Sequence, residues 1–435
     1  MAILGQVGAL QWAQLVRQLG VLASAVLLAR TGLSASHIGR YELLQYLTAL
    51  LSAAWISGLM QALLTLWPKV STTDQRKLLA WVVVTYSILS LLVAAMVGWM
   101  PARLLHWLSG QDTLHYRGWF ALFLLGYLPS LLFEYILFLQ GRYRSVVLYS
   151  TLNALGWLCC LVVPPALGYP FAMSFTLLCM LATFRLLQLW VFTVRQATFG
   201  QFPRALVGQW LTIAAPITGY ALLGIVNMSV DSWWIGQLYT GDTAMLAVYR
   251  YGAREIPLAT ALTAAAGAAL LPRLSAALHE TLPLVRQQSA RLCHQFFPLA
   301  IVLTATSSYW YPRVFGAAFT ESALIFNCFV LIGTSRVVLS LALVTATQLH
   351  GLMLRAALAS LLLHIALSGW LGSLWGPVGV AAGTAISFVA EKAMLTYYVY
   401  QRHGIRPGAF LHLPVWTAYT AALLLAFAVS SYFAV

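Results

Sequence analysis

Charge is what this chain has least of. Ten Asp and Glu and 24 Lys and Arg make up 8% of its 435 residues, against 61% hydrophobic residues. A soluble chain carries roughly 25% charged residues, so a soluble fold is excluded and the chain reads as an integral membrane protein. Cysteine is scarce as well. Cys159, Cys160, Cys179, Cys293 and Cys328 all lie in apolar segments without metal or disulfide spacing, and they read as small packing residues. The histidines make no metal-ligand cluster, and no cofactor or metal is expected. At the start of the chain no basic region precedes a short apolar core and cleavage site, so the first hydrophobic segment is expected to stay as a helix.

What the chain has in abundance is long apolar runs. They predict spans over about 10–30, 41–67, 78–100, 118–139, 146–167 and 171–194. A second series follows at about 209–234, 244–271, 292–311, 321–345, 356–375 and 378–400, and a thirteenth segment at about 413–434. The runs are continuous rather than alternating, which predicts an all-α membrane protein and not a barrel. The net charge of +14 is scattered over short loops. That pattern sets topology and excludes nucleic acid as a partner. Loops 68–77, 140–145, 195–208, 272–291 and 401–412 are basic, whereas 168–170, 235–243 and 375–377 carry no Lys or Arg. The asymmetry puts the N-terminus in the cytoplasm. The outer loop 101–117, with Arg103 and Arg117, is the exception.

A weak internal repeat appears at an offset of about 204–211 residues. LLTLWPK, closing on Pro68 and Lys69, matches GAALLPR at Pro272 and Arg273; FLQGRYR around Gly141 matches TQLHGLMLR around Gly351; LGYP at Gly168 matches GPVG at Gly379. Six spans per repeat is an even number, so both halves enter the membrane from one side. The expectation is two six-helix bundles related by a pseudo-twofold along the membrane normal, plus one extra C-terminal hydrophobic segment, about 13 helices in all. The lobes are 1–195 and 209–404, and the extra segment is 405–435.

The stretch 209–272 reads as two membrane helices joined by the turn YTGDT, each with a mid-helix proline, Pro216 and Pro257. Proline removes a backbone hydrogen bond and kinks a helix, so both read as hinges. Arg250 and Arg254 are four residues apart and are expected to share a helix face, where like charges repel unless an anion lies between them. Arg17 closes a polar stripe with Gln11, Gln14 and Gln18, roughly 10 Å along its helix. Arg40 and Glu42 open the second helix, where an interfacial role and a cavity role are both open. Arg185 and Arg336 also interrupt apolar runs, and Glu134 suits an interfacial position. Glu391, beside Lys392, is a candidate proton-coupling acid or ion-pair partner. Asp231, beside Trp233 and Trp234, suits an aromatic-belt anchor or, second, an ion-coupling group.

Several segments together carry a resemblance: AAPITGY, VDSWWIG, AVYRYGAREI, LLPRLSAAL, VFGAAFTES and GPVGVAAGTAIS, with IGRYELLQYLTALLSA in the second helix. Over roughly 1–404 the chain resembles the polysaccharide (O-antigen type) flippases of the multidrug/oligosaccharidyl-lipid/polysaccharide exporter superfamily. The resemblance implies two lobes facing a central cavity, open alternately inward and outward. It implies an undecaprenyl-diphosphate-linked oligosaccharide as cargo, moved to the outer leaflet of a bacterial cytoplasmic membrane for surface polysaccharide assembly, with a polysaccharide polymerase as partner. It also implies that Arg17, Arg40, Arg250 and Arg254 meet the diphosphate. Relatives that flip the peptidoglycan precursor carry two extra C-terminal helices, where this chain has one candidate. Two alternatives stand beside this: a cation or drug antiporter of the same fold, which calls for an acidic cavity, and a membrane glycan polymerase, which calls for a sizeable outer loop. No acid pair or nucleophile constellation appears in the outer loops, and the chain is not expected to be an enzyme.

Overall fold

The computed structural model describes residues 6–198, 203–254 and 257–434. Among the described residues the regular structure is helical throughout. The first half runs α1 (Gln6–Ala29), α2 (Ala35–Leu66), α3 (Thr72–Gly98), α4 (Ala102–Ser109), α5 (Arg117–Ser130), α6 (Leu132–Leu139), α7 (Tyr143–Ala166) and α8 (Phe171–Gln196). The second runs α9 (Arg204–Leu238), α10 (Thr243–Gly252), α11 (Pro257–Ala276), α12 (Leu278–Ala305), α13 (Ser307–Phe315), α14 (Ser322–Arg336), α15 (Ser340–Ala346), α16 (His350–His403), α17 (Pro407–Phe410) and α18 (Leu413–Ala434). Among the described residues nine helices are long and apolar enough to cross a membrane, and the α14–α15 pair, bent by 42°, makes a tenth. The molecule is an all-α, multi-pass membrane protein, in agreement with the apolar runs.

Local chemistry sets several boundaries. Ser34 and Ser71 cap α2 and α3, each hydroxyl accepting the N–H three residues on, from His37 at 3.4 Å and Asp74 at 3.2 Å. Gly376, at φ 61° and ψ −141°, breaks α16 into the two expected spans. Those angles are nearly forbidden to any residue with a Cβ. Past the break the two arms close tightly. A Cβ on Gly379 would collide with the Leu371 carbonyl, and Ser368 Oγ donates to Val380 O at 3.1 Å across the hairpin.

Elsewhere the structure corrects the expected boundaries. The span at 118–139 is two helices, α5 and α6, meeting at Leu131 behind Pro129. The span at 244–271 is broken into α10 and α11, and the span at 292–311 into α12 and α13. The basic stretch 272–291 is not a loop: α11 ends at Ala276 and α12 starts at Leu278. Arg273 closes α11, and Arg286 and Arg291 fall on amphipathic α12, whose apolar residues such as Leu282 and Val285 are buried. Loop 101–117 likewise contains α4, closed by Gly110 in the left-handed region.

The chain divides into two compact units, Met1–Ser229 with Gly241–Ala244, and Val230–Thr240 with Met245–Val435. The division falls within α9, and α18 belongs to the second unit. In the first unit α1 packs on α7, α3 on α5, and α8 on both α5 and α7. A buried cluster in it gathers Leu63, Leu66, Val82, Tyr86, Ile136 and Trp210. Polar side chains inside it bond to carbonyls: Tyr86 Oη to Ile56 O at 3.0 Å, and Trp210 Nε1 to Leu59 O at 3.0 Å. Such pairing is what an apolar medium demands, because an unmet donor there has no water to turn to. In the second unit α14 packs on α16, α11 on α12 and α15, and α12 on α18.

Candidate functional site

In the first unit the structure brings together two residues that the sequence places far apart. Arg17 Nη2 donates to Glu134 Oε2 at 2.9 Å. The Glu134 side chain is 10% exposed and that of Arg17 52%. Glu134 is therefore a buried counter-ion and not an interfacial residue. Arg185 is buried, its guanidinium carbon 5.5 Å from the Tyr127 ring centroid and 5.9 Å from that of Tyr149, with Nε donating to Tyr149 Oη at 3.3 Å. A guanidinium suits such aromatic surroundings, which makes Arg185 a packing residue. Arg40, on the first turns of α2, is half-buried. It shares its surroundings with His37 and with His115 of the α4–α5 connection. The His115 imidazole is held below its ordinary range, first by partial burial and then by the positive charge of Arg40 and His37.

The second unit holds a buried polar cluster around Asp231. Asp231, on α9, is 7% exposed, and His364, on the first arm of α16, is 1% exposed. His364 Nε2 lies 2.8 Å from Asp231 Oδ1 and 3.1 Å from Thr384 Oγ1. Thr384, on the second arm, donates from Oγ1 to Asp231 Oδ1 at 2.6 Å. The Tyr249 hydroxyl of α10 adjoins Asp231 and Thr384. Trp234, which follows on α9, donates from Nε1 to Ile365 O at 2.9 Å. Asp231 thus faces inward among three helices, and the aromatic-belt anchor expected from Trp233 and Trp234 is corrected: the indole of Trp234 is spent on a neighbouring carbonyl. Next to Asp231, the Ser232 hydroxyl accepts from Arg250 Nη1 at 3.3 Å. No spacing in the sequence assembles this cluster. The sole hint is a lone histidine in the run LLLHIAL.

Arg250 and Arg254 do not share a helix face. α10 ends at Gly252, so Arg250 is helical and Arg254 lies beyond the end, its guanidinium 4.8 Å from the Tyr251 ring centroid. The termination is built in by neighbours: Tyr311 Oη donates to Tyr251 O at 2.6 Å, and Ser322 Oγ to Val248 O at 2.7 Å. These hydroxyls satisfy carbonyls near the helix end. Pro257 is the first residue of α11 rather than a mid-helix kink. Its side chain, and Glu255 entirely, lie outside the described residues. Pro216 sits inside α9, which continues past it as one 35-residue helix. Glu391 pairs with its neighbour Lys392, Nζ to Oε1 at 3.3 Å, with both side chains under 20% exposed (19% and 17%). That is the internal ion pair, one of the two readings open from the sequence.

Neither a protein-family model nor a curated protein matches the chain by sequence. Solved structures do match it in fold. The lipid II flippase MurJ, in an inward closed conformation, superposes with a TM-score of 0.72 at 14% identity, covering 98% of each chain. A multidrug resistance MATE family transporter of the MOP superfamily, inward-facing, gives 0.56 at 13% identity over 91% of this chain and 98% of its own. The Vibrio cholerae MATE transporter VcmN gives 0.54 at 15% identity over the same shares, 91% and 98%. The chain therefore has the helical fold of these transporters and that flippase.

Proposed function

We propose that this protein is a flippase that moves an undecaprenyl-diphosphate-linked oligosaccharide from the inner to the outer leaflet of a bacterial cytoplasmic membrane, by alternating access, for surface polysaccharide assembly. The N-terminus faces the cytoplasm, lobes 1–195 and 209–404 alternate access to the two leaflets, and a polysaccharide polymerase takes the product. The observation that carries this reading is the likeness in fold to a lipid flippase along almost the whole of both chains. The charge pattern supports it. Arg17, Arg40, Arg250 and Arg254 are the residues that meet the diphosphate, for which a guanidinium fork is a fitting partner. Moving an anion outward also runs with an inside-negative potential, at about 2.3 kcal/mol per charge per 100 mV. Asp231 is the group that couples transport to an ion.

The second reading, a cation or drug antiporter, draws on the buried carboxylate of Asp231 and on the fold shared with the MATE transporters. One measurement separates them: the appearance of labelled lipid-linked glycan in the outer leaflet of proteoliposomes. The flippase reading expects appearance that depends on the protein and is lost when Arg250→Ala and Arg254→Ala are combined. Undiminished appearance in that double variant refutes the assigned site. Export of an organic cation, with no glycan movement, establishes the antiporter.

A further inference from the structure

Two of the chain's basic segments, 272–291 and 401–412, meet at one cavity of the second unit. The cavity measures about 710 Å³, within the range of about 300–1,000 Å³ usual for small-molecule sites. One wall is a single face of α12. Its residues His279, Leu282, Pro283, Arg286, Gln287 and Ala290 recur at steps of three and four, the spacing that aligns side chains along a helix. The other wall is the connection from α16 to α18, through Ala409 of α17 and His412. α12 packs on both α17 and α18, so both walls belong to one unit.

The polar lining is Arg286, His279, His412 and Gln287, and among the described residues no carboxylate lines the cavity. Around it the two segments hold Arg273, Arg291, Arg402 and Arg406 against one acid, Glu280. Among the described residues Arg286 is in no ion pair. An exposed arginine by itself is ordinary, but two further observations point the same way. His412 Nδ1 is buried without a hydrogen-bond partner. Buried polar atoms are nearly always satisfied, and an exception beside a cavity is what a site completed by a ligand looks like. The first turn of α12 is also uncapped: Ala277, at the N-cap, makes no side-chain hydrogen bond to it. Its N–H groups, at the positive end of the helix dipole, are open to an anion. His279 lies in that turn.

The place of the cavity in the chain selects the source of the anion. His412 stands immediately before the span that begins at Leu413. Ala290 stands just before the apolar part of α12, where Phe296, Phe297 and Ala300 are buried. The cavity therefore lies where the chain passes from polar surface to hydrocarbon, the level of lipid phosphates. Its apolar lining, Leu282, Pro283, Ala290 and Ala409, gives nothing to a free inorganic anion but suits the glycerol and first methylenes of a lipid. Basic pockets beside spanning helices are the setting in which anionic head groups bind. We propose that this cavity binds the head group of an anionic phospholipid, its phosphate on Arg286 and its chains against the apolar surface that begins at exposed Leu413. Arg286 supplies a forked pair of donors, and His279, His412 and Gln287 supply others. The inference is independent of the transported cargo and of the arginines assigned to it.

The test is retention of radiolabelled phosphatidylglycerol by the immobilised full chain in a neutral detergent. The label is competed with unlabelled phosphatidylglycerol, phosphatidylcholine or inorganic phosphate. Phosphatidylglycerol is expected to displace it at a concentration at least about tenfold lower than phosphatidylcholine, whose choline cancels the phosphate charge. Inorganic phosphate is expected not to displace it. Arg286→Gln is expected to weaken binding by about tenfold or more, the worth of one hydrogen bond to a charged group. His412→Gln, a second variant on the opposite wall, is expected to weaken it to a smaller degree. Arg144→Gln, which removes an exposed charge from the first unit, is expected to bind as wild type does. Equal displacement by the two lipids, or equal losses in Arg144→Gln and Arg286→Gln, would reduce the effect to net charge and overturn the site. Wild-type affinity in both folded cavity variants overturns it as well. Displacement by inorganic phosphate assigns the cavity to a free anion and overturns the lipid.

Discussion

The Arg17 guanidinium lies 2.9 Å from the Glu134 carboxylate and joins α1 to α6 inside the first unit. The partners are unequal, Glu134 buried and Arg17 half exposed. Removing the arginine therefore strands a desolvated carboxylate, whereas removing the acid frees an arginine that can reach water. Arg17→Ala is expected to lower stability by about 1–3 kcal/mol, and Glu134→Gln added to it should recover most of the loss. Thermal unfolding in detergent reads both. A double variant no more stable than Arg17→Ala alone would show that the pair is not coupled.

Gly376 turns the chain between the two arms of α16 at a φ of 61° and a ψ of −141°. Gly376→Ala should cost about 1–3 kcal/mol through backbone strain alone. Gly379→Val should be far worse, because its side chain meets the Leu371 backbone and cannot be relieved by a rotamer. Folded yield on size-exclusion chromatography ranks the two. Equal yields would mean that the arms can separate without loss.

α18 is held to its unit by polar contacts at a buried point. Asn327 Nδ2 donates to Ser307 Oγ at 2.8 Å and to Ser430 Oγ at 3.0 Å. At the other end of α18, Trp416 Nε1 donates to Thr334 O at 2.9 Å. Asn327→Ala should cost about 1–3 kcal/mol and should speed amide hydrogen exchange in 413–434 while leaving 6–66 as in the parent. Uniform acceleration across the chain would refute a local clasp.

His115 offers a check on the basic surroundings of Arg40. Its imidazole takes up a proton at lower pH folded than unfolded, so this group favours the folded state above its unfolded range and disfavours it as pH falls through that range. The ring's NMR titration midpoint should lie below about 6.5 and should rise modestly in Arg40→Gln, because burial is the larger cause and remains. An unmoved midpoint would remove Arg40 from the account.

How much of this was legible in the residues themselves depends on the range of the force involved. Long apolar runs are a local property, and the bilayer converts them into spans with little freedom, so the all-α membrane fold could be read from composition and run length alone. The turn at Gly376 and the cap at Ser71 are local in the same sense, each acting on its own few residues. Breaks imposed by neighbours were not legible. α10 stops at Gly252, and Tyr311 and Ser322, many turns away in the chain, satisfy carbonyls at its end.

The candidate site shows the same division more sharply. The sequence by itself singled out Arg17 and Glu391 as ionisable residues within apolar runs, where isolated charge is penalised, but it put Glu134 at the interface and Asp231 in an aromatic belt. Which of them pair was decided only by tertiary structure. Asp231 meets His364 and Thr384 across 133 and 153 residues of chain, and no periodicity in α9 or α16 encodes that meeting. It follows from the rotation of each helix within the bundle, which side-chain packing sets and a one-dimensional pattern does not contain.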